Sequence, residues 1–183
     1  MQFKIIAAQD LDKLQRQQIA ELCFTAFDED PWGQYAFMQT ASHLVGILDE
    51  KIVSHALWTD RVFTIHSNNQ VKTAYVEYVT TDEMMRGKGL ASQLLRYLID
   101  ALTTLGYELA ALQPEDDAFY KKLGWISWLG DLYIKQNTST YLTDEHEILL
   151  YPLSVKLKEL LSQHNTDTAD DAICTDWREG ELW

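Results

Sequence analysis

Positive charge is what this sequence is short of. Lys and Arg number 15 against 28 Asp and Glu, a formal net charge of −13 at pH 7. Phosphate binding needs a basic surface, so this balance argues against a nucleic acid partner and against an anionic membrane. Cysteine is scarce too. Cys23 and Cys174 lie far apart, with no C-x-x-C pair, so neither a disulfide framework nor a thiolate metal site is expected. A reducing cytoplasm is the expected compartment. The opening "MQFKIIAAQDLDKLQ" lacks the long apolar run of a signal peptide, and acids follow quickly. No stretch approaches the length of a membrane helix. The five histidines, His43, His55, His66, His146 and His164, show no metal-ligand spacing. No internal repeat is present.

What remains is an ordinary globular composition, 46% hydrophobic and 23% charged over 183 residues. One domain spanning 1–183 is expected, with 162–183 as a polar linker and tail. "FKIIAA" (3–8) reads as a strand. Asp10 then caps a helix over 11–27, which Pro31 and Gly33 end. A short helical piece fits 34–41. Residues 43–67 hold two or three strands around a "DEK" turn, and 71–81 alternates as a strand. A clean amphipathic helix starts at Leu90, with Gly106 at its C′ position. A buried strand (107–113), a short helix (114–125) and strands within 126–136 and 140–153 follow. This order predicts an α/β (α+β) fold with a central mixed, largely antiparallel sheet flanked by helices.

Between a good strand and a good helix lies "RGKGLA" (86–91). Glycines there let backbone approach a ligand, and the first amides of the helix have no intrahelical partners. Together they form an anion cradle. The G-K-[ST] ending of a Walker loop is missing, and so is G-x-G-x-x-G spacing. The run strand, "MMRGKGLASQLL", long helix, strand, "AFYKKLGW" resembles the GNAT family of acyl-CoA-dependent N-acetyltransferases. The family's Q/R-x-x-G-x-G/A loop maps onto Arg86, Gly89 and Ala91. The resemblance implies a GNAT fold and acetyl-CoA as co-substrate, with no metal. Its pyrophosphate would lie on Arg86, Gly87, Lys88, Gly89, Leu90 and Ala91, and its pantetheine arm along Val79, Thr80 and Thr81. It also implies that Tyr120, in the run Phe119, Tyr120, Gly124, Trp125, protonates the departing thiolate.

A finer resemblance is to the aminoglycoside 2′-N-acetyltransferases. "AYVEYV" (74–79) is similar to that branch's Tyr-Val-Glu strand, "FYKKLGWISWLG" (119–130) to its Tyr…Gly-Trp…Trp-x-Gly run, and "CTDWREGELW" to its ending. The resemblance implies Glu77 as general base acting through water. It implies an acceptor site of Asp30, Trp32, Asp144, Glu181 and Trp183, the last with its own carboxylate. Homodimers are common in the family. Thr175, inserted between Cys174 and Asp176, and Glu181, in place of Asp, depart from the branch pattern, as does "PW" at 31–32. These changes leave a polyamine, another amino sugar or a peptide amine open as acceptor. A non-catalytic module binding polycations or CoA is the third reading.

The acids gather at 28–30, at 144–147 and from Asp170 to Glu181. Each exposed acid–ammonium pair is worth at most ~1 kcal/mol, but several in a cleft steer a polycation. Solvated loop acids are the plainer account of most of them. His146 could act as a base or sit on the surface. Glu77 either faces water by strand alternation or faces the cleft. Trp177 and Trp183 could stack on sugar faces.

Overall fold

The computed structural model describes residues 1–29, 31–66, 69–144, 147–163, 172–179 and 183. They form two compact units, one of Met1–Thr59 with Val76–Asp100 and one of Asp60–Tyr75 with Ala101–Trp183.

The first unit holds β1 (Gln2–Ala7), α1 (Lys13–Phe27), α2 (Pro31–Gln34), β2 (Ser42–Leu48) and most of β3 (Lys51–Ile65). It also takes the end of β4 (Asn69–Thr81) and most of α3 (Leu90–Thr104). β1 pairs antiparallel with β2 from Gln2↔Ile47 to Ala7↔Ser42, and β2 pairs antiparallel with β3. The β2–β3 turn is two residues, Asp49 and Glu50, with φ of 48° and 64°. Positive φ at both positions matches the twist of the flanking strands. The register shifts by one residue between Gly46 and Ile47. Asp12, not Asp10, caps α1. Its side chain accepts from the Gln15 amide at 2.8 Å, and Gln15 returns a bond to the Asp12 amide at 3.1 Å. Asp10 ends a short 3-10 turn, Ala8–Asp10. The predicted piece at 34–41 divides into α2 and a 3-10 turn, Ala36–Gln39. α1 lays Ile19, Leu22 and Cys23 onto Val45 and Ile52 of the strands.

The second unit holds β5 (Leu109–Leu112), α4 (Asp117–Lys121), β6 (Ile126–Trp128), β7 (Asp131–Gln136), β8 (Ser139–Leu142), β9 (Ile148–Pro152), α5 (Val155–Gln163) and β10 (Ala172–Asp176). Its strand order is β6-β9-β5-β4-β3-β10-β7-β8. β4·β5 and β10·β7 are parallel; β5·β9, β6·β9, β7·β8 and β10·β3 are antiparallel. The core combines Phe63, Tyr75, Trp128, Ile148 and Leu157 with Trp183. Gly106, at φ 75°, closes α3 as its spacing predicts, and the Tyr107 amide bonds back to the Leu102 carbonyl at 3.1 Å. α5 is an addition to the sequence reading. Its signals are Ser154, whose Oγ accepts from the Leu157 amide at 3.2 Å, and the spacing of Leu157, Leu160 and Leu161. The tail likewise holds a strand, β10, instead of only a linker and loop. Mixed sheet and helices together are the architecture the element order implied.

Candidate active site

In the first unit β4 runs into the glycine loop. Asp82 closes the strand: its carboxylate accepts from the Met84 amide at 3.0 Å and pairs with Lys51 at 2.7 Å. That hydrogen bond to Lys51 is the chief cause holding the Asp82 carboxyl below the usual range. Gly87 and Gly89 have φ of 76° and 75°, and a Cβ at either would meet nothing within 4 Å. Backbone conformation, not crowding, therefore requires glycine, and the space over the loop is open. α3 begins at Leu90, and the Gln93 amide bonds the Gly89 carbonyl at 3.1 Å. The preceding amides of the helix point out toward that space. Arg86 and Lys88 are exposed beside them. Arg86 turns back, its Nε donating to the Thr81 carbonyl at 3.4 Å and its guanidinium 3.6 Å from Glu83. Open backbone donors at a helix start, flanked by two cations, fit the pyrophosphate of an acyl-CoA. Leu90 and Ala91 are half-buried at the helix start. Upstream, Thr80 is buried, Val79 and Thr81 are half-buried, and the Thr81 hydroxyl has no hydrogen-bond partner among the described residues.

Glu77 is half-buried. Simple alternation does not place it, because Tyr78 has φ of 52° and breaks the strand's period. A tyrosine in left-handed backbone is an uncommon, strained conformation. Tyr78 is held at both ends: its phenol donates to Glu29 Oε2 at 2.9 Å, and its carbonyl lies 3.1 Å from His55 Nδ1. Trp32 belongs to the same unit. Its indole donates to the Arg16 carbonyl at 3.1 Å, and the Arg16 guanidinium stands 4.7 Å over its ring. Asp30 lies outside the described residues.

In the second unit Tyr120 is on α4, which Asp116 caps by accepting from the Ala118 amide at 3.1 Å. Phe119 and Trp125 meet the Tyr120 ring edge-on at 5.1 and 5.9 Å. Gly124, at φ 95°, makes the sharp return that brings the Trp125 amide to the Tyr120 carbonyl at 3.3 Å. Burial, then the charges of Glu115 and Asp116, push the phenol up to about 12. Asp144 is exposed just past β8. The indole of Trp183 is 2% exposed, edge-on to Phe63 at 5.6 Å, with Arg61 5.8 Å from its ring. It is core, so it cannot stack on a sugar; Trp177, at 45% exposed, can. Glu181 and His146 lie outside the described residues.

The sequence reading missed two groups. Glu29 lies in the 28–30 acid cluster and Tyr78 in "AYVEYV", but neither pattern signals that the two meet. His43 and His55, set aside for want of metal spacing, are fully buried and 3.0 Å apart.

Comparison with known proteins defines the class. The pattern of the acetyltransferase (GNAT) domain family matches residues 4–127, and the chain belongs to that family. It is an N-acetyltransferase of a family that uses acyl-CoA. Over its whole length it is similar to an aminoglycoside 2′-N-acetyltransferase of Mycolicibacterium fortuitum, at 27% identity over 98% of this chain and 91% of that one. Its fold matches a GNAT-family N-acetyltransferase (YhbS) of Escherichia coli, solved in complex with CoA. That match has a TM-score of 0.62 and 19% identity over 98% of this chain and 91% of that one. A longer Enterococcus faecalis chain is matched over 32% of its length and 68% of this one, at TM-score 0.55 and 20% identity. Among the described residues no helix is long and apolar enough to cross a membrane.

Proposed function

We propose that this acetyltransferase moves the acetyl group of acetyl-CoA to an amine of an aminoglycoside, the 2′-amine, and so confers resistance to the antibiotic. The observation that carries the reading is the full-length similarity to an aminoglycoside 2′-N-acetyltransferase. A net charge of −13 supports it, since the acceptor is a polycation.

Acetyl-CoA supplies an acyl group already activated as a thioester. The protein has to hold thioester and amine together, remove a proton from the ammonium and stabilise the departing thiolate. Arg86, Gly87, Lys88, Gly89, Leu90 and Ala91 hold the pyrophosphate, and Val79, Thr80 and Thr81 the pantetheine arm. Glu77 takes the ammonium proton through a water. An acidic site also stabilises ammonium, so one amine loses its proton at the thioester while its neighbours stay charged and paired. Asp30, Asp144 and Glu181 hold those neighbours, and Trp32 adds a ring edge. Tyr120 serves the sulfur. A phenol at about 12 and a thiol near 8.5 differ by roughly 5 kcal/mol in proton affinity. Tyr120 therefore stabilises the departing thiolate by a donated hydrogen bond and keeps its own proton, and the released thiolate takes its proton from water.

Release of free thiol from acetyl-CoA, measured with aminoglycosides that have or lack a 2′-amine, tests this. Turnover is expected only with the first set. Turnover confined to polyamines or peptide amines would sink it.

A further inference from the structure

Two buried histidines stand beside β4, and their hydrogen bonds have one consistent polarity. The Tyr78 carbonyl can only accept, so His55 Nδ1, 3.1 Å away, carries the proton. His55 Nε2 is then a lone pair. It lies 3.0 Å from His43 Nδ1, which must therefore donate. This leaves His43 Nε2 as an acceptor, buried without a partner among the described residues. Both rings are neutral in this arrangement. Burial, aided by the Arg16 charge, holds His43 down to about 4, and burial takes His55 well below the usual range. On its outer side His43 packs against Trp32 at 5.2 Å between ring centres.

The pairing depends on the irregularity in β2–β3. Next to the turn, Leu48 faces Lys51 and Ile47 faces Ile52. Continued without a shift, that register would put His43 and His55 on opposite faces of the hairpin. The one-residue shift makes His43 face Leu57 and Val45 face His55, so both imidazoles share a face as diagonal neighbours. An apolar pair would fill the space without leaving a buried acceptor unsatisfied.

We propose that His43 and His55 are positioning residues: a tautomer-locked pair that clamps the Tyr78 carbonyl and thereby sets the strained turn carrying Glu77 and Val79. The peptide group is planar, so fixing the Tyr78 carbonyl also fixes the direction of the Val79 N–H. The pair thus orients the backbone between the residue assigned as base and the first residue assigned to the acyl-CoA. The inference rests on those assignments for its role in turnover, but its geometry is independent of the acceptor.

The experiment has two arms. Nitrogen-15 spectra of the free protein at neutral pH should show both rings protonated on Nδ1 and bare on Nε2; an Nε2–H form of either ring overturns the proposal. His55→Asn keeps a donor near the Nδ1 position, whereas His55→Leu removes it. With whichever amine the wild type acetylates best, His55→Leu should lower kcat by ~10–100-fold. His55→Asn should recover most of that loss at similar thermal stability. The carbonyl carbon-13 shift of Tyr78 should move in His55→Leu and stay near wild type in His55→Asn. Equal kcat for the two variants, or a Tyr78 shift unmoved in both, overturns the proposal. Wild-type turnover of polyamines alone sinks the aminoglycoside reading and leaves this one standing.

Discussion

Tyr120 and His43 are single residues whose surroundings set their proton chemistry. Tyr120, at about 12, stays protonated through the working range, so Tyr120→Phe should remove a donor and nothing else. Its kcat should fall ~100-fold or more, with little change in the KM of either substrate, read by thiol release. His43 is held at about 4 against 6.5 when exposed. The unfolded chain therefore binds a proton between those values that the folded chain refuses. The stability this residue contributes is complete above pH 6.5, falls as pH drops toward 4 and levels below it, by about 3 kcal/mol in all. Urea midpoints at pH 7 and 4.5 should thus separate less in His43→Asn than in the wild type. The Trp183 indole is core, so Trp183→Ala should lower stability by about 3 kcal/mol or more in denaturant unfolding.

At the scale of elements, the glycine loop and α5 show how a few backbone positions decide an element's use. Gly89, at φ 75° with open space at its Cβ, disfavours any other residue by conformation alone. Gly89→Ala should cost about 1 kcal/mol of stability. It should raise the acetyl-CoA KM more than the acceptor KM, as a two-substrate titration will show. Ser154 caps α5, and Ser154→Ala should lower stability by ~1 kcal/mol in denaturant unfolding with kcat unaffected. α3 was legible because its stripe is continuous and Gly106 closes it. α5 is harder to read because it is short and runs into a polar segment, although its cap and leucines carry the signal. The β2–β3 shift has one sequence mark, Gly46, a lone glycine inside a strand beside the irregularity, but nothing at Ile52 or Val53 tells which residue is added.

For the whole molecule, the excess of acid is the property that acts at long range. A net charge of −13 attracts any polycation, the proposed acceptor among them, and repels an anion such as acetyl-CoA. Raising the ionic strength from roughly 20 to 300 mM shortens the screening length severalfold. The acceptor's kcat/KM should therefore fall, while that of acetyl-CoA should hold or rise. A salt-independent acceptor kcat/KM would show that the acids are only solvated surface.

The sequence by itself determined the class of protein. The loop from Arg86 to Ala91, the amphipathic helix after it and the Phe119–Trp125 run are local patterns, each readable because its residues are neighbours along the chain or one helical turn apart. The deficit of positive charge is likewise a sum, indifferent to folding. Tertiary structure alone decided what depends on register and enclosure. Tyr78 turns left-handed because partners from other elements hold both its ends. Trp183 became core and not a sugar platform because Phe63 and its neighbours close over it. His43 and His55 became a pair because one residue was added to a strand between them.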